Sequence, residues 1–318
     1  MPVAASELNH LMAQADATGS HACSAVLRLG SGLSWRIMGL AGMEREVLRI
    51  KDLLELLPAN GDHTLHRIIL TSTGARNRKA PTLPLHGDLS ERGDGWQHIV
   101  LPQLDVYTRD DAPYTICDVH AGATDESKDS WLPYVLCPVY LRVMDAGGAI
   151  LHAAAVERHG EAFLLPGKSG TGKSTCCRRI KPPWQPLCDD LTLAIPGRDG
   201  SFVVHPLPTW SAILWGGETA TWPVERGVPL RAIFFPEHGT EDEALPMGQA
   251  EASVQLWRSA LQATRPWTGS HDAAGRSRMG RNLLDTIAGV VKSFPAFHLR
   301  VAKDGTFWKE MERALRTV

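Results

Sequence analysis

Long apolar runs are missing from this sequence: nowhere do about 18 apolar residues follow one another, the length a membrane-spanning helix needs. The first residues hold no basic stretch followed by an apolar one, so no secretory signal is read there. The expectation is a soluble, cytoplasmic protein with no membrane partner. Charge of one sign is not in excess either. With 33 Lys and Arg against 35 Asp and Glu, the formal net charge of −2 gives no general attraction to nucleic acid. Cysteine is sparse and unpatterned. Cys23, Cys117, Cys137, Cys176, Cys177 and Cys188 form no C-x-x-C pair and no metal-type spacing with histidine, so they read as reduced, mostly buried thiols. Cys188 stands beside two aspartates, which would raise its pKa rather than activate it. Internal repeats and low-complexity tracts are absent as well.

The composition, 43% hydrophobic and 21% charged, is that of a globular protein. A chain of 318 residues builds one large core or two modest ones, because single cores stop growing near 250–300 residues. Residues 1–18 read as a short helix or a loose end. The alternating runs 24–30 and 33–38 around Gly30-Ser-Gly32 read as a hairpin, and Arg45 to Leu57 as a helix stopped by Pro58. Strands are expected at 67–71, 98–101 and 114–118, with a long loop between Ser72 and Gly95 and one helix over Ser130 to Asp145. Further on, the pattern predicts strands at Ala149 to Val156, Glu161 to Leu165, Ser201 to Trp215, Leu230 to Phe235 and Ala296 to Ala302. Helices are predicted at Ser174 to Ile180, Glu251 to Ala263, Asn282 to Lys292 and Thr306 to Arg316. The alternation makes the class α/β, with an N-terminal α+β region over residues 1–147 and a second domain over 148–318.

The stretch Gly167-Lys168-Ser169-Gly170-Thr171-Gly172-Lys173-Ser174-Thr175 fits the phosphate-cradling pattern G-x-x-x-x-G-K-[ST] at every required position. Its glycines let successive N–H groups turn toward a polyphosphate, and the helix that starts near Lys173 adds its positive end. In this reading Lys173 reaches the β/γ-phosphates and the Ser174 hydroxyl ligates Mg²⁺. An apolar strand before it and a helix after it supply the context the motif requires.

Sixteen and seventeen residues after Lys173 come Asp189 and Asp190, followed by an apolar run. Taken alone, an Asp-Asp pair at a strand start reads as a turn or an exposed end. Beside a phosphate loop it can supply both the metal-holding carboxylate and the base that phosphoryl transfer to a hydroxyl needs. Generic P-loop NTPases close an apolar strand with the acidic ligand, whereas here the apolar run follows the pair. His152 on an apolar strand reads either as a core histidine or, given its place before the loop strand, as a site residue.

Residues 148 to about 195 resemble the catalytic core of HPr kinase/phosphorylase-type proteins, whose pattern is a strand histidine, G-x-S-G-x-G-K-S and a close Asp-Asp. The resemblance rests on His152, Gly167 to Ser174 and Asp189-Asp190. The whole-chain layout, with Leu151 to Val156 and His205-Pro-Leu-Pro-Thr-Trp-Ser211, is similar to the HPr-kinase-related proteins of peptide-modification cassettes, of the type called SynChlorMet. What the resemblance implies is a mixed β-sheet P-loop kinase core related to phosphoenolpyruvate carboxykinase, with the N-terminal α+β portion packed on it. ATP and Mg²⁺ would be the cofactors, and a serine or threonine hydroxyl on a peptide or small protein the acceptor. It further implies Asp189 as general base, Asp190 as a metal ligand with Ser174, and His152 lining the site with Lys173. The E-x-R-G-type signature of the bifunctional HPr enzymes is approached only by Val224-Glu225-Arg226-Gly227, which reads as a turn, so phosphorolysis and HPr as substrate do not carry over.

Arg276, Arg278 and Arg281 around Gly275 and Gly280 suggest a mobile basic loop able to clamp phosphates or an acidic peptide, but read more readily as a solvated face at a helix start. Trp210, Trp215, Trp222 and Trp257, among ten tryptophans, suit a peptide groove or a core. A small-molecule kinase of the same fold and a non-catalytic nucleotide-binding module that presents a peptide stand as alternatives. A homo-oligomer is left open.

Overall fold

Period-2 and period-3.6 hydrophobic patterns alternate along the chain, and the elements of the computed structural model follow them. The structure describes residues 2–18, 23–40, 42–58, 66–74, 88–91, 95–109, 112–123, 131–197, 199–210, 220–268 and 273–317. Two compact units result. The first comprises residues 1–142, 210–225 and 265–276, and the second 143–209, 226–264 and 277–318, so the chain returns twice to the first unit after leaving it.

In the first unit, α1 (Ala5–Thr18) precedes the hairpin of β1 (Ser24–Arg28) and β2 (Ser34–Gly39), which turns through a 3₁₀ segment at Gly30–Gly32. Helix α2 (Glu44–Leu53) buries Val47 and Ile50 and carries Glu44 and Glu46 in its first turn and Lys51 in its last, matching the helix dipole. It ends four residues earlier than the pattern predicts: Glu55 takes φ 51, reversing the chain so that β3 (Leu57–Pro58) pairs with β1. Strands β4 (His66–Thr71), β5 (Asp88–Glu91), β6 (Gln97–Val100), β7 (Leu104–Thr108) and β8 (Tyr114–Val119) complete a sheet in the order β3-β1-β2-β4-β8-β7-β6-β5. Strands β5 and β7 were not legible in the sequence, and most of the loop expected between Ser72 and Gly95 lies outside the described residues. Helix α1 lays Leu8, Leu11 and Ala15 on Met38, Ile69, Trp96, Tyr107 and Ile116 to form the core. The helix predicted over Ser130 to Asp145 is two, α3 (Leu132–Val135) and α4 (Cys137–Asp145). Pro138 has no N–H for the carbonyl a turn earlier, which accounts for the break at Leu136.

The second unit begins with β9 (Ala149–Leu151), β10 (Ala153–Arg158) and β11 (Glu161–Pro166), followed by α5 (Lys173–Arg179), β12 (Trp184–Cys188), β13 (Thr192–Pro196) and β14 (Phe202–Pro206). Then come β15 (Val228–His238), β16 (Glu243–Pro246), α6 (Gln249–Thr268), α7 (Ala273–Ser293), β17 (Ala296–Val301) and α8 (Phe307–Leu315). The strand expected to run to Trp215 stops at Pro206, and Trp215 itself lies outside the described residues. The sheet runs β12-β10-β11-β15-β14-β13-β9, with β16 and β17 joined to β15. Strand β11 is parallel to β15, which is parallel to β17; the other pairings are antiparallel, so the sheet is mixed. Cys176 and Cys177 of α5 and Phe307, Met311 and Ala314 of α8 pack with Phe163, Leu165, Phe234 and Phe297 into one core. The i, i+4, i+7 spacing on α8 is that of an amphipathic helix seated on a sheet.

Candidate functional site

Two chain breaks in the second unit fall side by side, and a loop opens next to them. Strand β9 pairs with β13, while β10 pairs with β11 and β12, so the chain changes partners at His152. It changes them again between β12 and β13, at Asp189 and Asp190. The registers Ala155↔Cys188 and Leu151↔Thr192 set these corners against each other. Ala153↔Pro166 then puts the end of β11, and the loop that follows, at the same place. The Thr192 hydroxyl donates to the Ala153 carbonyl at 2.8 Å and locks the junction. Strand β12 corrects the sequence expectation: the acidic pair closes one strand and opens the next. Pro186 hides β12 from pattern reading because proline is uncommon in strands.

The loop from Gly167 to Gly172 is folded on itself. The Thr171 hydroxyl and N–H both donate to the Lys168 carbonyl, at 2.9 and 3.3 Å. A Cβ on Gly167 would stand 2.5 Å from Thr171 Oγ1, so a larger residue there would push the Thr171 side chain out of its place. Gly170 and Gly172 take φ +86 and +100, a region that other residues rarely enter, and His238 Nε2 lies 2.9 Å from the Gly170 carbonyl. Lys173 opens α5 with only 6% of its surface exposed. Its Nζ donates to the carbonyls of Gly167 at 2.8 Å and Lys168 at 3.1 Å. Burial pushes this ammonium below the ordinary lysine value, opposed by the negative charges of Asp190 and then Asp189. Lys168, Ser169 and Gly170 are exposed, Ser174 is half-buried and Thr175 exposed.

His152 joins the loop to the acidic corner. Its Nε2 stands 3.5 Å from Lys173 Nζ and 3.1 Å from Asp190 Oδ1, while its buried Nδ1 has no hydrogen-bond partner. Its backbone is held at both ends: the His152 N–H donates to the Ser259 carbonyl at 3.2 Å, and the Ser259 hydroxyl donates to the His152 carbonyl at 3.0 Å. Asp189 faces a different neighbour and accepts a hydrogen bond from the Thr209 hydroxyl. Ser259 and Thr209 escape sequence reading. The only trace of Ser259 is a small polar residue on the buried stripe of an amphipathic helix, and Thr209 lies after a Pro-rich stretch without pattern. Among the described residues, no group of three or more His, Cys, Asp or Glu could hold a metal ion by itself. The Ser174 hydroxyl and the Asp190 carboxylate are hard oxygen donors of the kind that Mg²⁺ takes.

A cleft of 280 Å³ opens on the other flank of the loop, between Gly167, Lys168 and Thr171, the end of β15 at Phe235 to Glu237, and one face of α6. Other residues singled out in the sequence lie elsewhere. The arginine-rich stretch is not a loop: Arg278 and Arg281 are exposed on α7, which runs through Gly275 and Gly280 as a solvated helix face. Trp210 and Trp222 are buried, so they belong to core rather than groove. Val224 to Gly227 forms the expected turn, in which Arg226 Nη2 donates to Glu157 Oε2 at 2.5 Å.

No curated protein matches the chain. A protein-family model does: it spans residues 115–316, from β8 through both acidic and glycine-rich corners to the end of α8, and since this is well over half its length, the chain belongs to the SynChlorMet cassette protein ScmC family.

Proposed function

We propose that this protein is an ATP- and Mg²⁺-dependent kinase of the HPr kinase-like type, which moves the γ-phosphoryl group to a serine or threonine hydroxyl of a peptide or small protein. The observation that carries the reading is the meeting of Lys173, His152 and Asp190 at one corner beside the glycine-rich loop, with separations of 3.5 and 3.1 Å. The residues present suit the donor. A buried ammonium now satisfied by two loop carbonyls can exchange them for phosphate oxygens, and glycines at positive φ leave the loop N–H groups free of Cβ cover. Ser174 and Asp190 would hold Mg²⁺, which takes one or two protein oxygens and completes its shell with phosphate and water. Bound Mg²⁺–ATP supplies the phosphoryl group and neutralises its charge during transfer.

The chain's own residues then divide the work. Lys173 would hold the terminal phosphates, and His152, fixed by Ser259, orients the Asp190 carboxylate. Asp189 already accepts a bond from a hydroxyl, that of Thr209, and is the carboxylate that takes the proton of the acceptor hydroxyl. Six unpaired cysteines suit a reducing compartment, so the proposed setting is the cytoplasm. The cassette family makes a ribosomal peptide encoded beside the gene the first acceptor to try.

Incubation with ATP, Mg²⁺ and such peptides is expected to add about 80 Da per phosphoryl group by mass spectrometry. Asp189→Asn is expected to keep ATP binding and slow transfer by about 10²–10⁴-fold, the usual worth of a general base. Phosphate appearing on a metabolite instead would make it a small-molecule kinase. Nucleotide affinity lost in Lys173→Ala, with no turnover of any acceptor, would make it a binding module.

A further inference from the structure

Helix α6 carries a second chemistry beside the loop. Glu251, Gln255, Arg258 and Gln262 recur at intervals of four, three and four, so they share one helix face, and all four line the 280 Å³ cleft. Its volume lies near the lower end for ligand sites, about 300 Å³. The carboxylates of this cleft are already engaged. Glu251 Oε2 lies 3.3 Å from His298 Nε2, and Glu237 Oε1 lies 3.1 Å from Arg300 Nε. Its two permanent cations, Lys168 and Arg258, have no carboxylate partner among the described residues. Lys168 and Arg258 are thus donors not taken up by a carboxylate, on the cleft that the glycine-rich loop helps to line, and a guanidinium so placed can take an incoming carboxylate through two hydrogen bonds.

Gln255 and Gln262 add amides that both donate and accept, as a peptide backbone requires. On the neighbouring stripe Val254 and Leu261, seven residues apart, are 49% and 44% exposed. A small anion makes no use of that apolar edge, whereas a peptide side chain does.

We propose that the cleft binds the acceptor peptide through an Asp or Glu side chain that Arg258 holds, assisted by Lys168, with the adjacent serine or threonine directed to the loop. The proposal rests on the kinase reading for what happens next, but the binding itself does not depend on it. Phosphates of the nucleotide are the other anions that Arg258 could meet, and the experiment separates the two. A fluorescein-labelled peptide LSEEL and its neutral counterpart LSQQL are titrated with the full chain by anisotropy, and a fluorescent ATP analogue is titrated in parallel.

LSEEL is expected to bind at least about tenfold more tightly than LSQQL and to weaken with salt, because the difference is one charge-assisted contact. Arg258→Gln should remove most of that preference and leave the ATP analogue within about twofold, since a charged hydrogen bond is worth about tenfold. Gln262→Glu, which places a like charge on the same face, should weaken LSEEL in the same direction. Equal binding of both peptides, or an Arg258→Gln variant that loses the ATP analogue and not the peptide, overturns the proposal. Failure of the wild type to bind the ATP analogue would instead strike the kinase reading, with the peptide titrations still deciding the cleft.

Discussion

A lysine kept from water beside two carboxylates and two carbonyls is held by charge complementarity, and that is the chemistry of Lys173. Burial works against its ammonium, and Asp190 and Asp189 work for it. The thiols around it behave differently. Cys176 and Cys188 are pushed up to about 12 and about 11, first of all by burial, so neither forms a thiolate at neutral pH. Among the six free cysteines only Cys23 is partly exposed. Iodoacetamide on the native protein is therefore expected to modify Cys23 first, and the other five only with denaturant, as peptide mapping would show. Alkylation of Cys188 at a comparable rate would contradict its placement. Lys173, the glycines and the acidic pair could be picked out at this scale because their motif is a spacing of residue types within the chain itself. Thr209, Ser259 and His238 could not, since they reach the site only through folded contacts across 20, 107 and 68 positions.

Elements position these side chains, and their turns can be tested. Strands β10 and β11 meet through His159 and Gly160, both at positive φ (55 and 79), the geometry of a tight type I′ hairpin. Histidine tolerates that region less well than asparagine, so His159→Asn should raise stability by about 0.5 kcal/mol, read from thermal unfolding. A loss of similar size would mean that the His159 ring makes a contact that outweighs its backbone strain. In the other sheet, His66 begins β4, and its Nε2 lies 3.0 Å from the Thr115 hydroxyl on β8. Burial, helped by the Arg142 charge, lowers its pKa from 6.5 to about 4. The unfolded chain then binds this proton first, so stability is lost as pH falls from about 6.5 toward 4 and the loss levels off below that. Urea unfolding of His66→Gln should lose less between pH 7 and pH 4.5 than the wild type does, and equal losses would refute the assignment. Long periodic elements such as α8 and β15 were readable from pattern. Strand β12, with its proline, and the short β7 and β16 were not, because strand pairing is decided by partners distant in the chain.

At the scale of the molecule, one core of described residues lies under α1 and another behind α5 and α8. Among the described residues no helix is long and apolar enough to cross a membrane. The α/β class is plain in the sequence, and β9 follows the Gly147-Gly148 pair as its pattern predicts, while the second unit itself begins at Val143. The return of residues 210–225 and 265–276 to the first unit is invisible in the sequence, because no local signal marks which core a loop joins. Family membership covers residues 115–316 and leaves the chemistry to the site itself. That chemistry turns on whether the folded loop accepts a nucleotide. The most direct measurement is calorimetric titration of Mg²⁺–ATP into the wild type and into Lys173→Ala. One-to-one binding that requires Mg²⁺ and is lost in the variant is the predicted result; no binding by the wild type, or equal affinity in the variant, would contradict it.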